Sequence, residues 1–240
     1  MITRFICTPK NKLEGFGLKI YFLLVDNFPQ TFFVGGMVRD LLLKRKVVDV
    51  DIATQSTPDE VAKILSSAKI KFDDRYKNFG SITARRGRLA IEITTFRKDL
   101  KSGSRYPKVQ FIKSSKTDSK RRDFTINSLY LRLKPFRVLD FNGGISDIKN
   151  RLIRFIGRPE NRIRQDPLRI IRALRFALIL NFKLENKTRR AIKNNLFLAE
   201  KLTRTKLNKE IDKIKGEKNK IILTKVINKP KLFDNYFKNF

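Results

Sequence analysis

The 240-residue sequence contains no histidine and only one cysteine, Cys7. The absence of histidine excludes imidazole as a general acid, a general base or a metal ligand. A single cysteine excludes a disulfide within the chain and a zinc site built from cysteines, and it agrees with a reducing compartment. Any acid–base or metal chemistry therefore has to come from other side chains.

Long apolar runs are also missing. Segments such as residues 20–25 and 176–180 are far too short to span a bilayer. The first residues, MITRFICTPKNK, lack the apolar core of a secretion signal. Their mildly basic character keeps an organelle transit segment open as an alternative. The sequence predicts a cytoplasmic protein with no membrane partner.

Acidic residues are scarce. The chain has 23 Asp and Glu against 55 Lys and Arg, which gives a formal net charge of +32. With 41% apolar residues it can form a globular core in one or two domains. Folding does not require such a charge, so the sequence predicts a polyanionic partner, most commonly nucleic acid. Codon bias contributes lysines, but it does not account for the arginines of residues 162–175; an anionic membrane is the weaker alternative.

Two aspartates separated by one residue, Asp49 and Asp51, fall in a short segment typical of a β-strand. Alternate side chains of a strand share a face, so the two carboxylates project together and Val50 points into a core. Neighbouring carboxylates repel each other unless a cation lies between them. The spacing therefore predicts a site for a hard cation, of which Mg²⁺ is the natural example.

Upstream, an apolar run predicts a strand over residues 31–34, followed by Gly35, Gly36 and a helix over residues 37–43. A glycine turn that opens a helix presents free backbone N–H groups and the positive end of the helix dipole, which suit a polyphosphate. Phosphate and metal sites close together indicate phosphoryl or nucleotidyl transfer.

The string GGMVRDLLLKRKVVDVDIAT resembles the signature of the class II tRNA nucleotidyltransferases (CCA-adding enzymes) and the related bacterial poly(A) polymerases. The shared pattern is GG-x-VRD-x-LL followed by D-x-D-I. The resemblance implies that Asp49 and Asp51 hold two Mg²⁺ ions. It also implies that Gly35, Gly36 and Arg39 bind the triphosphate. For Arg39, a surface ion pair with the adjacent aspartate is the alternative.

A further acid, Glu92, stands alone in the predicted strand LAIEITTF, residues 89–96. An ordinary strand acid faces solvent, but this one resembles the third catalytic carboxylate of the family's E-[VI]-T-T-F-R strand. The following segment, residues 98–120, resembles a flexible loop that helps the family change from C to A addition. It keeps Arg105 and Pro107 but is somewhat short and lacks most of the usual acidic residues.

The segment RRDFTINSLYLRL, residues 121–133, resembles the family motif RRDFT-x-N. The resemblance assigns Arg122, Asp123 and Asn127 to nucleotide binding. Arg122 and Asp123 form a donor–acceptor pair able to hold a ribose hydroxyl. The alternative for Asp123 is an N-cap of a helix that starts at Phe124.

The segment RIRQDPLRIIRALRFALIL, residues 162–180, has apolar residues at helical spacing. Asp166 and Arg169 lie three residues apart and are therefore predicted to be helix neighbours. The pair resembles the family's ED-x-x-R motif, whose Asp and Arg read the incoming base. An exposed ion pair is the alternative.

Within the same segment, the resemblance gives Arg172 and Arg175 a supporting role in nucleotide binding. Gln165 stands where the family usually has Glu. Glutamine keeps the size and the hydrogen bonding of that residue but loses its charge, so we expect weaker positioning of the helix without loss of base reading.

Together these motifs predict an α+β fold: a nucleotidyltransferase head with a mixed sheet, about residues 1–145, then an all-helical basic neck, about residues 146–240, with the usual body and tail truncated. The implied function is template-independent addition of CCA to tRNA from CTP and ATP with Mg²⁺ and release of pyrophosphate. Alternatives are a CC-adding enzyme, a bacterial-type poly(A) polymerase and a noncatalytic RNA-binding protein. The segment NFGSITARRGRLAIE lacks the GRRF-like, histidine-containing signature of the polymerases. The sequence leaves the oligomeric state open.

Overall fold

A computed structural model describes residue 9 and residues 11–100 and 108–238. Cys7, Arg105 and Pro107 lie outside the described residues. The described chain divides into two compact units. The first contains the described residues up to Arg122 together with Ile126–Gly144, and the second contains Asp123–Thr125 together with the described residues from Ile145 onward.

The first unit combines a sheet with short helices. Its elements in chain order are α1 Lys12–Val25, β1 Thr31–Val34, α2 Gly36–Leu42, β2 Asp51–Thr54, α3 Pro58–Ser67, β3 Lys71–Asp73, β4 Ser81–Arg86, β5 Leu89–Thr95, β6 Arg97–Asp99, β7 Val109–Phe111, α4 Ser115–Ser119, β8 Leu129–Leu133 and β9 Phe136–Asp140. Seven strands form one sheet in the order β3-β4-β5-β2-β1-β8-β9. The β2–β5 pair is parallel and the other pairs are antiparallel, which confirms the predicted mixed sheet.

Helices α1 and α3 cover one face of this sheet. Apolar residues at alternate strand positions, such as Ile52 and Ile91, point into this face and are fully buried. Gly17 allows α1 to approach closely, since a Cβ there would lie only 2.7 Å from Val50 Cγ1. Burial of this face holds the strands in the register that brings the candidate site together.

The opposite face is covered over only part of its width. A second apolar cluster lies on its β1, β2 and β8 side and contains Phe32, Val34, Ala53, Phe96 and Tyr130. On β4 and β5, buried residues alternate with accessible ones. The accessible set, which includes Thr83 and Glu92, faces solvent beside this cluster.

The second unit is mostly helical. Its elements are α5 Gly144–Lys149 (whose first residue belongs to the first unit), β10 Leu152–Ile153, α6 Pro159–Gln165, α7 Leu168–Leu180, β11 Lys183–Leu184, α8 Asn186–Asn195, α9 Arg204–Ile211, α10 Glu217–Asn228 and α11 Phe233–Phe237. The parallel pair β10–β11 is a small exception to the predicted all-helical character. Among the described residues, no helix is long and apolar enough to cross a membrane.

Candidate active site

The predicted carboxylates gather where β2 begins. Asp51 is the first residue of β2, and its partner on the parallel neighbour β5 is Glu92. Asp49 precedes the strand, so the prediction that it lies on the strand is wrong. The reason is that β1 ends at Val34, opposite Asp51, and leaves no antiparallel neighbour for the preceding residues. The alternation nevertheless persists, because Val50 is buried and Asp49 is exposed.

Asp51 carries the clearest electrostatic signature of the site. Burial and the neighbouring Glu92 carboxylate raise its pKa to about 7, with Arg122 opposing this shift and Asp49 adding to it. Gly35 permits this crowding. It has a φ of +73°, and a Cβ there would lie 3.4 Å from Asp51 Oδ2 and 3.9 Å from Arg122 Nη1. The carboxylates therefore carry negative charge that a bound cation would stabilise.

The donor set fits Mg²⁺ better than a fully protein-bound metal. In the part of the chain that the structure describes, no three His, Cys, Asp or Glu side chains converge to hold a metal ion. Mg²⁺ commonly binds through one or two carboxylates and takes its remaining oxygens from water and substrate phosphates. Asp49 and Asp51 supply such a pair.

Arg39 is a buried residue of α2, and its guanidinium lies against the glycine turn. It donates to Asp40 through Nε and Nη2, at 3.0 and 2.9 Å, and to Asn127 Oδ1 through Nη1 at 2.7 Å. The ion pair between Arg39 and Asp40, which was the alternative, does form, but both members are buried and not on the surface as expected. The Nη2 atom is 3.4 Å from the position that a Cβ of Gly36 would occupy. The structure thus brings Gly36, Arg39 and Asn127 together at the start of α2.

Arg122 is held by two residues that the sequence reasoning missed. Its Nε donates to the Tyr130 hydroxyl at 2.9 Å, and its Nη2 donates to Asp118 Oδ2 at 3.3 Å. The same hydroxyl donates to Asp118 Oδ2 at 2.6 Å, while Arg121 Nε donates to Oδ1 at 2.8 Å. Although burial opposes it, the arginine charges lower the pKa of Asp118. The i, i+4 spacing of Asp118 and Arg122 was the available sequence signal.

Asp123 belongs to the second unit, unlike Arg122. Its Oδ1 accepts from the Phe124 amide at 2.8 Å, and its Oδ2 accepts from Arg172 Nε at 2.8 Å. The predicted helix from Phe124 is wrong: a 3₁₀ turn, Thr125–Asn127, leads directly into β8. The strand prevails because β8 pairs with both β1 and β9.

The predicted base-reading residues flank a break between two helices. Helix α6 ends at Gln165, Asp166 is extended with φ −154° and ψ 99°, and α7 starts after Pro167. The single helix predicted over residues 162–180 is therefore wrong, because Pro167 lacks an amide hydrogen and disfavours a helical conformation at the preceding residue. Asp166 Oδ1 accepts from the Leu168 amide at 3.1 Å.

Arg169 follows this break and turns back toward α6. Its Nη1 donates to the Arg162 carbonyl at 2.8 Å and to Gln165 Oε1 at 3.2 Å. Gln165 Oε1 also accepts from Arg162 Nη1 at 2.9 Å. The backbone keeps Arg169 beside Asp166, since the Arg169 amide donates to the Asp166 carbonyl at 3.1 Å. Gln165 therefore orients Arg169 through a neutral oxygen.

The remaining predicted arginines of α7 meet a carboxylate from α9. Arg175 Nε donates to Glu210 Oε2 at 2.9 Å, and Arg172 Nη1 lies 3.8 Å from Glu210 Oε1. The Arg175 guanidinium also stacks over the Phe176 ring, 4.1 Å from its centroid. Glu210 is buried, and its position 35 residues downstream left no local signal in the sequence.

A shallow pocket with a volume of about 470 Å³ lies along α8. It is lined by Asn186, Arg189, Arg190, Lys193 and Asn194. None of the residues predicted for catalysis or nucleotide binding lines it. It therefore carries no part of the carboxylate site.

Comparison with known proteins gives consistent relationships. A family model described as the poly A polymerase head domain matches residues 31–154, slightly more than half of the chain. A CCA-adding enzyme of Lactobacillus helveticus is 41% identical over 187 residues, which are 77% of this chain and 46% of that protein. A Bacillus licheniformis CCA-adding enzyme is also 41% identical over 187 residues.

Solved structures point the same way. The Bacillus stearothermophilus CCA-adding enzyme in complex with CTP superposes with a TM-score of 0.73 at 35% identity, covering 85% of this chain and 48% of the other. The Thermotoga maritima CCA-adding enzyme complexed with tRNA superposes with a TM-score of 0.71 at 27% identity, covering 95% of this chain and 54% of the other. The chain spans about half the length of the curated relatives that it matches.

Proposed function

The chain belongs to the poly A polymerase head domain family, and we propose that it is a template-independent nucleotidyltransferase that adds C and A to the 3′ end of tRNA. CTP and ATP would be the nucleotide substrates and pyrophosphate the second product. The observation that carries the proposal is the register of Asp51 beside Glu92, with Asp49 one alternation away. RNA binding alone requires no such group of carboxylates. The names of the relatives support tRNA as the acceptor.

In the proposed reaction, the terminal 3′-hydroxyl of the RNA attacks the α-phosphate of the nucleotide. A new phosphodiester bond forms, and the bond between the α- and β-phosphates breaks to release pyrophosphate. Asp49 and Asp51 would hold Mg²⁺, which when bound activates the hydroxyl and stabilises charge on the phosphates. Glu92 adds a third carboxylate beside them, and Arg122 supplies a fixed positive charge next to Asp51.

We further propose that the start of α2 receives the triphosphate. The Gly35–Gly36 turn opens α2, and Arg39, held by Asp40 and Asn127, lies against Gly36. This assignment changes the role of Arg39 from direct phosphate ligand to positioning residue. Backbone amides at a helix start suit an anion without any side-chain cation.

In the second unit, Asp166 and Arg169 are the proposed base readers. Asp166 offers acceptors and Arg169 offers donors, which match the amine and ring nitrogen shared by cytosine and adenine. Uracil and guanine reverse that order, and each mispaired buried polar group costs about 1–3 kcal/mol. The pair therefore favours CTP and ATP without a template. Asp123 and Arg172 hold each other, which supports a joint role near the nucleotide.

The test is incubation of the purified protein with Mg²⁺, tRNA lacking CCA and each labelled nucleotide, followed by product sizing to one nucleotide. We expect addition of C, C and A in that order, with no use of UTP or GTP. Two added residues identify a CC-adding enzyme, and a long A tail on arbitrary RNA identifies a poly(A) polymerase, which the family description also covers. Tight tRNA binding without incorporation would refute catalysis. Action in the cytoplasm stays a prediction.

A further inference from the structure

Three strands of the sheet leave one face open next to the carboxylates. On β4 and β5 the residues that point to the helix-covered face, such as Ile82 and Ile93, are buried. The intervening residues are accessible to solvent. Because Glu92 belongs to this accessible set, the open face and the carboxylates share one side of the sheet.

The open face is polar, and its side chains change from hydroxyls near the carboxylates to cations further away. Nearest the carboxylates it carries hydroxyls: Thr83 is the direct partner of Glu92 on β4, and Ser81 Oγ lies 2.8 Å from Glu92 Oε1. Thr94 is two residues along β5, opposite Ser81. The surface has no large apolar side chain among these positions, so an apolar partner has nothing to bind there.

Further from the carboxylates the same face becomes cationic. Lys71 and Arg85 are exposed and lie opposite each other on β3 and β4. The strand acid Asp73 lies within ion-pair distance of two arginines, Arg75 at 2.6 Å and Arg85 at 3.5 Å. This edge therefore keeps a net positive charge. From strand spacing, the Arg85 backbone is roughly 8 Å from that of Glu92.

We propose that this face, made of Lys71, Ser81, Thr83, Arg85 and Thr94 and called the β3–β5 platform, binds the last unpaired nucleotides of the RNA. This inference rests on the proposed function, because it supplies the surface that leads a 3′-hydroxyl to the carboxylates. Hydroxyls can donate to phosphate oxygens and accept from a ribose 2′-hydroxyl. The cations pair with phosphates further back along the strand.

The experiment measures binding of a short single-stranded RNA with a free 3′-hydroxyl, by fluorescence anisotropy without nucleotide or Mg²⁺, over a range of salt concentrations. We expect the double variant Lys71→Ala/Arg85→Ala to bind about tenfold more weakly at low salt. Its salt slope should fall by about one to one and a half, because each lost phosphate contact removes about 0.7. Thr83→Val, which keeps the shape of the side chain, should weaken binding by a few-fold.

Arg86→Ala is the matched control. Arg86 is exposed and follows Arg85 on β4, but strand alternation directs it to the other face. Binding by this variant should change less than twofold. In turnover assays the double variant should raise KM for RNA and leave kcat and KM for CTP unchanged.

Equal effects of the control and the double variant would overturn the platform, as would unchanged RNA binding. Such results in a protein that still incorporates nucleotides leave the proposed function intact. Conversely, the wild-type protein could bind RNA without incorporating any nucleotide, while only the Lys71, Arg85 and Thr83 variants lose RNA binding. That result would support the platform and refute the proposed catalysis.

Discussion

In the first unit, Asp51 at the start of β2 lies beside Glu92 in the middle of β5, with Asp49 two residues upstream, and the pKa of Asp51 rises to about 7. In the second unit, Arg172 and Arg175 lie on one helix, and each meets a carboxylate from elsewhere in the same unit. The first group keeps its like charges together. The second group pairs its opposite charges.

This difference separates chemistry from framework. A cluster of like charges is unfavourable until a ligand of opposite charge arrives, so the carboxylates are arranged for a bound cation. Arginines that already have carboxylate acceptors help to fix how the helices pack, and removing one partner of such a pair lowers the stability of the fold. We therefore expect substitutions in the first group to lower activity more than stability, and substitutions in the second group to do the reverse.

The largest expected effect comes from Asp51→Asn. The amide keeps the shape but loses the charge that would hold Mg²⁺, so kcat should fall at least about a thousandfold, or ~4 kcal/mol. The melting temperature without Mg²⁺ should stay the same or rise, because the repulsion with Glu92 disappears. Product formation and differential scanning calorimetry measure both. Asp59→Asn, an exposed change in α3, should leave both unchanged; substantial turnover by Asp51→Asn would contradict the comparison.

The next effect is on stability. Glu210→Gln removes the charge that pairs with Arg175, and we expect a loss of about 3 kcal/mol in the free energy of unfolding at pH 7, measured with urea. Burial opposes ionisation, but Lys213, Arg175 and Arg172 lower the pKa of Glu210 below its usual 4.5. The stabilisation is therefore present above about pH 4.5 and is lost as the pH falls through the lowered pKa.

The difference between wild type and Glu210→Gln should accordingly shrink in acid. Glu200→Gln changes an exposed acid and should show neither the loss at pH 7 nor the convergence in acid. An undiminished gap between wild type and Glu210→Gln at low pH would argue against a charge-based role.

A smaller effect on both stability and kcat should come from Tyr130, which holds Arg122 beside the carboxylates. Tyr130→Phe leaves Asp118 and Arg122 without their shared hydroxyl, which should cost about 1–3 kcal/mol of stability. It should also lower kcat by about an order of magnitude, because Arg122 would no longer be fixed beside Asp51. Tyr21→Phe removes another buried hydroxyl, which accepts from the Leu133 amide. It should reduce stability while sparing kcat, so an equal loss of kcat would remove the special role of Tyr130.

The smallest expected effect is a gain. Gln165→Glu places a charge between Arg162 and Arg169, and charge-assisted hydrogen bonds should add up to about 1 kcal/mol. We expect a slightly higher melting temperature and less incorporation of UTP and GTP, measured by competition assays. Gln30→Glu adds the same charge at an exposed site and should change neither, so equal fidelity in both variants would show that Gln165 already positions Arg169 fully.

Local sequence patterns predicted the framework well. The apolar run over residues 31–34 predicted β1, and the segment LAIEITTF predicted β5. The predictions failed where tertiary pairing decided the outcome. The helix expected from Phe124 gives way to β8, because β1 pairs with this strand on one side and β9 on the other. The prediction of a single helix over residues 162–180 did not take into account Pro167, which separates α6 from α7.

The site was predicted only as far as its motifs extend. The acid pair and Glu92 were identified by spacing and resemblance, whereas Asp118, Tyr130, Ser81 and Glu210 were not. Their roles depend on contacts between residues distant in sequence, such as Tyr130 with Arg122 or Glu210 with Arg175. The burial of Arg39 has the same origin, since its partner Asn127 is 88 residues away.

The chain passes from the first unit to the second for only three residues, Asp123–Thr125, before returning. Phe124 is fully buried there, stacked on Phe155 at 4.8 Å and edge-on to Phe176 at 5.7 Å. A fragment ending at Gly144 would retain this phenylalanine but lose both rings, exposing a side chain whose burial contributes about 2–3 kcal/mol. The sheet with its carboxylates therefore cannot be separated cleanly by one cut in the chain. Truncation, recombination or fusion at a single junction would leave Phe124 without the two rings that bury it.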